Sequence, residues 1–337
     1  MKFGFQNLGK ALATTVLVGC TFASGIAYSA EYTLRVAHGN NEQFHMHKAW
    51  EKFKEVVEAE SKGEIAVEIY ANGQMGEDRE LLEFVQDGTI DLNASTVAVL
   101  AGWDTAFAAS ELPYMFPDRA TALAALNGSY GEWLFKRAEE IGFKGLGWFE
   151  TGFRNINNSV RPIYKPEDLD GIKIRTMQVD AHMAAFRHLG ANPTPMAFGE
   201  VYSALQQGVV DAQENPLSAI VTSRLYEVAP FVSLTNHVYS THIVVMNPDR
   251  FESLPENYQD LILRAVKEGE AHQQAIIAKE EQEMIAILEK EGGKVNALSP
   301  EEIKVFQDRI SEISADLKGM VDPEAYEVLR KAVENKG

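Results

Sequence analysis

An internal echo constrains this chain more than any other feature. Val85-Gln86-Asp87-Gly88-Thr89-Ile90-Asp91 is matched by Leu205-Gln206-Gln207-Gly208-Val209-Val210-Asp211, with the two glycines 120 residues apart. Each run reads as a helix end, a glycine suited to the left-handed cap, and a strand that starts apolar and acquires an acid. Two lobes of similar build are the natural reading. Chance is the alternative, since helix-Gly-strand junctions are common in α/β folds.

Around the echo, short apolar runs alternate with longer amphipathic ones, the rhythm of an α/β protein. Strands are expected at Thr33–His38, Glu64–Tyr70, Thr89–Ala94, Phe143–Phe149, Gly171–Arg175 and Val209–Gln213. Helices are expected at Phe44–Glu60, Asp78–Gln86, Asp180–Leu189, Gly199–Gln206 and Leu217–Glu227. The uncharged run Val228–Pro248 contains Pro230, Asn236, His237 and His242, which suits two buried strands, Phe231–Asn236 and Ile243–Met246, better than a bilayer span. Asn257–Glu291 has helical periodicity without proline. Its 35 residues would span roughly 50 Å, enough to bridge two lobes, with Gly269 as a place for a kink.

The first thirty residues read as an export leader. Lys2 and Lys10 precede an uncharged stretch, Ala11–Ala30, that ends in small residues, and cleavage is expected near residues 27–30. Leu17-Val18-Gly19-Cys20 supports a second reading, lipidation at Cys20. Without the leader the chain carries 29 basic against 49 acidic residues, a charge of −20, and no cysteine. That charge excludes nucleic acid as the main partner, and a cysteine-free chain suits an oxidising periplasm.

Catalytic signatures are missing: there is no G-x-S-x-G elbow, phosphate loop, H-E-x-x-H or C-x-x-C. Gly145-Leu146-Gly147 reaches Glu150 where a dinucleotide fingerprint needs its third glycine. His45 and His47 lie two apart at a helix start, which suits a surface or capping pair rather than a metal site. Glu77-Asp78 and Glu301-Glu302 read as helix openers that favour the positive end of the dipole. No metal and no cofactor is expected.

Two arginines stand apart. Arg175 closes the strand Gly171–Arg175 just before a helix, and ligands of open α/β sheets bind at strand carboxyl ends. A guanidinium there can grip a carboxylate through two parallel hydrogen bonds. Arg154 follows Thr151-Gly152-Phe153 after a candidate strand and can share that rim. A structural salt bridge or plain surface charge is the other reading for each. Asn215, in Gln213-Glu214-Asn215-Pro216, is a ligand contact or a turn residue, and Phe198 a pocket wall or core.

Gly171–Arg175, the run Gly190-Ala191-Asn192-Pro193-Thr194-Pro195-Met196-Ala197-Phe198 through Glu200-Val201-Tyr202, and Gly208–Pro216 resemble the periplasmic solute-binding subunit of tripartite ATP-independent periplasmic (TRAP) transporters, of the dicarboxylate-binding-protein type. The similarity runs over nearly the whole mature chain. It implies an α/β, two-lobed periplasmic-binding-protein fold, type II-like, with a ligand cleft between the lobes and a long helix bridging both. It also implies lobe I at 31–151 plus 240–279, and lobe II with the C-terminal helices at 152–239 plus 280–337. The implied receptor closes on a small organic anion and delivers it to a membrane permease of small and large subunits. A monomer is expected.

In the resemblance Arg175 holds the substrate carboxylate, Arg154 assists, Asn215 hydrogen-bonds the ligand and Phe198 lines the pocket. First-lobe contacts fall on loops containing His38, Gly39, Asn40, Gln74, Ser95 and Thr96, while Met177-Gln178-Val179 and Tyr239–His242 tune the choice. Sialic-acid-binding members carry Phe-Ala-Glu-Ser where this chain has Ala94-Ser95-Thr96-Val97, which argues for a smaller acid. Dicarboxylates, hydroxy or keto acids, sugar acids and sulfonates all stay open. So do two other classes: a secreted hydrolase or lyase acting on a sugar acid, and a lipid-anchored sensory or scaffold module resting on Cys20.

Overall fold

The computed structural model describes residues 30–335, so residues 1–29 of the expected leader, Cys20 included, lie outside the described residues. Among the described residues nine strands form one sheet: β1 (Tyr32–Ala37), β2 (Ile65–Tyr70), β3 (Leu92–Thr96), β4 (Lys144–Asn158), β5 (Lys173–Thr176), β6 (Asn192–Pro195), β7 (Ala212–Pro216), β8 (Phe231–Met246) and β9 (Lys294–Ala297). Their order is β2-β1-β3-β8-β4-β7-β5-β6, with β9 added to β8. Both β3 beside β1 and β7 beside β5 are parallel, whereas β8 and β4 run antiparallel to these inner strands.

Read from either edge, the order is the same: three parallel strands, then the two long antiparallel ones. The echo explains why. Asp91 accepts from the Arg35 amide at 2.7 Å and returns its own N–H to the Arg35 carbonyl at 2.9 Å. Asp211 does the same with Lys173, at 3.0 and 2.7 Å. The Arg35 and Lys173 side chains then reach the carbonyls of Gly88 and Gly208, and both glycines have positive φ, 77° and 68°. One local motif thus fixes the start of the third strand in each lobe.

The two crossing strands differ from expectation. The run expected to hold two strands is the single 16-residue β8, and the strand expected at Phe143–Phe149 continues to Asn158. Each serves one lobe with one half: β8 pairs β3 through His242–Met246, and β4 pairs β7 through Arg154–Asn158. Between those halves the β4/β8 register shifts at Glu150/Gly152 and Arg154/Ile156. Such bulges bend strands where they leave one sheet direction for another, and Gly152 supplies the φ of +98° that the bend requires.

The long helix runs Glu256–Lys290. Its Leu261, Ile262, Ala265 and Val266 enter the apolar cluster of Trp50, Phe53 and Phe149, and its Met284 and Leu288 enter that of Leu205, Leu217 and Ile220. Gly269 lets this helix cross the helix His45–Glu60 closely: a Cβ there would lie 2.7 Å from the Ala49 carbonyl oxygen. The C-terminal helix Pro323–Glu334 packs on the 105–140 region of the first lobe, with the Asp322 N–H donating to the Thr105 carbonyl. The helix Pro300–Ser311 stays with the second-lobe helix Asp180–His188. No helix among the described residues is long and apolar enough to cross a membrane.

Candidate functional site

A cavity of about 130 Å³ lies between the lobes. Asn40, Phe44, Glu77, Asp78 and Thr96 wall it from the first lobe, Arg175, Met177, Gln178, Phe198 and Asn215 from the second. Thr151, Arg154, Ser240 and His242 of the crossing strands form its floor. The walls also touch each other. The Gly199 N–H donates to Glu77 Oε2 at 3.4 Å, Asn41 Nδ2 to the Thr222 carbonyl at 3.1 Å, and Thr96 Oγ1 to Met177 Sδ at 3.9 Å.

Arg175 sits in the middle of β5, beside β7 and β6, and is only 3% exposed. Its Nε and Nη2 donate to the Met196 carbonyl at 3.0 and 2.7 Å, which fixes the plane of the guanidinium. Nη1 has no hydrogen-bond partner in the protein, and no carboxylate lies within 4.0 Å, among the described residues. Burial, then the neighbouring Arg154, brings its pKa down to about 10, so it stays charged at neutral pH.

Arg154 is spent differently. Its Nε and Nη2 grip the fully buried Glu214 carboxylate, and Nη2 also donates to the Glu214 carbonyl at 2.5 Å. His237 Nε2 meets the same carboxylate at 3.1 Å. Burial alone pushes Glu214 up, but Arg154 and His237 more than reverse it and hold its carboxyl well below the usual range. This ion pair anchors β4 to β7 and supports the floor rather than offering a free cation. Behind Asn215, whose Nδ2 donates to Gln213, the Gln213 amide donates to Asn157, so the second-lobe wall is braced from strand to strand.

Of the residues expected at the site, Arg175, Arg154, Asn215, Phe198, Asn40, Thr96 and Met177 line the cavity. His38, Gln74 and Ser95 do not. Ser95 is buried with Oγ donating to Asn93 and to the Asp78 carbonyl, and Gln74 is exposed on the loop after β2. His38 is buried against His47, Nε2 to Nδ1 at 3.0 Å. His45 and His47 are therefore no surface pair. His45 is 2% exposed, bonded to Ser218 across the lobe boundary and to Gln273 of the long helix, because the helix start faces inward. Among the described residues no cluster of three or more metal-ligating side chains occurs.

Asp78 was missed. It opens the helix Asp78–Gln86 as expected, but that helix end points into the cleft, and burial followed by Glu77 pushes its carboxyl up to about 6. The strand-end rule that singles out Arg175 applies equally to the loop after β2 and could have found it. His242 is pushed down to about 3 by burial and then by Arg154, so it is neutral.

Residues 36–318 match the family model of bacterial extracellular solute-binding proteins, family 7. A 2,3-diketo-L-gulonate-binding periplasmic protein of Escherichia coli is 32% identical over 301 residues, 89% of this chain and 91% of that one. A C4-dicarboxylate-binding periplasmic protein of Rhodobacter capsulatus is 31% identical over 284 residues, 83% and 85%. Among solved structures, the sugar acid binding protein of Advenella mimigardefordensis in complex with galactonate has a TM-score of 0.88 at 32% identity, covering 90% of this chain and 98% of that one. A TRAP periplasmic solute-binding protein of Sulfurospirillum deleyianum with bound succinate has 0.86 at 28%, covering 92% and 100%. The two-lobed build, the crossing strands and these matches agree: the chain belongs to the family 7 bacterial extracellular solute-binding proteins.

Proposed function

We propose that the protein is a non-catalytic receptor that captures a small organic acid between its lobes, with Arg175 holding the carboxylate, and hands it to a TRAP membrane permease. The observation that carries this reading is the buried Arg175 guanidinium, oriented by a backbone carbonyl and left without a carboxylate partner among the described residues. Burying a cation without its counter-ion is costly, and a ligand carboxylate removes that cost on closure. Arg154, paired with Glu214, braces the floor, Asn215, Asn40 and Thr96 supply polar contacts, and Phe198 and Met177 cover apolar surface. At about 10–15 Å³ per water-sized position, the cavity suits a ligand of about ten non-hydrogen atoms.

The crossing strands act as the hinge, the lobes being 31–151 with 240–279 and the C-terminal helix 323–334, and 152–239 with the helix 300–311. Export with cleavage near residues 27–30 places the mature chain in the periplasm as a monomer. The hydrolase or lyase reading predicts turnover instead. Refolded, ligand-free protein is screened by thermal shift against organic acids, and the bound acid is recovered by mass spectrometry after long incubation. A ligand at 100 times its Kd adds about 2.7 kcal/mol of stability. Stabilisation with intact ligand is the expected result, and a converted ligand would overturn the receptor reading.

A further inference from the structure

Every charge on the cavity wall can be assigned a partner or its absence. Arg154 is neutralised by Glu214. Arg79 also lines the cavity but is partnered, its guanidinium 4.7 Å over the Trp103 ring and its Nε 3.3 Å from Glu83. His242 is neutral at pH 7. Among the described residues one cation on this wall, Arg175, is left for a ligand. Across the cleft stand two acids: Glu77, whose side chain accepts from the Glu80 N–H in a capping box and whose Oε2 accepts the Gly199 N–H at 3.4 Å, and Asp78, whose Oδ2 meets the Thr96 N–H at 3.5 Å. No cation lies within 4.0 Å of either carboxylate among the described residues, and a single Cβ at Gly39 would touch both, which places them side by side.

We infer that the cleft selects acids with one carboxylate and a hydroxylated far end, and rejects acids with a carboxylate at both ends, Glu77 and Asp78 being the residues that discriminate. This rests on the reading of Arg175 as the carboxylate anchor and narrows it. A hydroxyl donates to a carboxylate without changing the charge of the cleft. A second carboxylate is brought against two like charges with no free cation to balance it, in a site where closure has removed water and weakened screening. Discrimination thus comes from a repulsive element facing an attractive one. The rest of the wall fits the same class: the side chains of Asn40, Gln178 and Ser240 line the cavity with no hydrogen bond to other protein groups among the described residues, and each can pair with a hydroxyl.

The test uses matched pairs that differ only at the far end: galactonate with galactarate, gluconate with glucarate, erythronate with meso-tartrate, and succinate as a diacid without hydroxyls. Titration calorimetry on refolded protein at pH 7.5 is run on the parent, Glu77→Gln, Asp78→Asn and Arg175→Ala. In any pair that binds, the monoacid is expected to bind at least roughly tenfold tighter, and the amide variants to narrow that gap. Three results overturn the inference and leave the receptor reading standing: a diacid that binds as tightly as its monoacid, a gap that survives both amide substitutions, or Arg175-dependent binding of succinate with none of the hydroxy acids. Binding of no acid, or equal binding by Arg175→Ala, overturns the reading on which the inference rests.

Discussion

Replacing Glu214 with glutamine keeps the shape of the side chain and removes its charge. Arg154, 3% exposed, then faces a neutral amide, and His237 loses an ionic partner. Removing one member of a buried ion pair costs about 3–5 kcal/mol, because the remaining charge stays buried and unpaired. One amide oxygen survives to accept from the guanidinium, so the lower end, about 3 kcal/mol, is the expected loss. At about 2–4 °C per kcal/mol for chains of this order, the Tm falls by roughly 6–12 °C. A second consequence separates this account from simple loss of packing. The uncompensated Arg154 adds a cation next to Arg175, so an acid ligand restores more stability to Glu214→Gln than it adds to the parent. Urea unfolding followed by tryptophan fluorescence, with and without a saturating acid, measures both. A loss below about 1 kcal/mol, or equal ligand stabilisation in the two proteins, would refute the assignment of Glu214 as the partner that keeps Arg154 from acting as a free anion site.

Acid should weaken the fold early. His38, His45 and His242 are held by burial at about 3 against an ordinary 6.5, so they stay neutral in the folded chain and take up protons on unfolding. Stability is complete above pH 6.5 and falls below it by about 1.4 kcal/mol per pH unit for each histidine, while Asp78, raised to about 6, returns a smaller part between pH 6 and 4. Urea midpoints at pH 7.5, 6, 5 and 4 check this, and a flat profile between 7.5 and 5 would count against it. Gly269→Ala should destabilise by about 1–3 kcal/mol through a clash with the Ala49 carbonyl, where an open helix position would gain about 1 kcal/mol from the same change. A rise in Tm would remove the close-crossing explanation.

How far the sequence could be read depended on whether the governing interaction was local. The echo was legible because a helix end, a positive-φ glycine and an acid that folds back on the first strand all lie within seven residues. The helix Asp78–Gln86 was legible to the residue, and the long helix within one residue at each end. The continuity of β4 and β8 was not. Gly152, Asn236 and His237 interrupt their apolar runs where the strands pass between lobes, and that interruption looks the same as a turn. Arg154 stood out as a charge at a strand end, but its partner lies 60 residues away on a neighbouring strand, so no spacing rule reveals Glu214. Asp78 was hidden for the opposite reason. The helix dipole gave it a sufficient local explanation, and only the direction in which that helix points shows that it lines the cavity. His45 and His47 were misplaced because one turn of helix can face solvent or the boundary between the lobes, and packing against Ser218 and Gln273 decides which.

The account stands on Arg175. The measurement that addresses it most directly is equilibrium titration of an acid that stabilises the parent protein against Arg175→Ala and Arg175→Lys, each first shown to be folded by circular dichroism. The account predicts a loss of at least roughly tenfold in affinity for alanine, about 1.4 kcal/mol, with partial recovery for lysine, which keeps the charge and loses the two-pronged grip. Unchanged affinity in Arg175→Ala would contradict it.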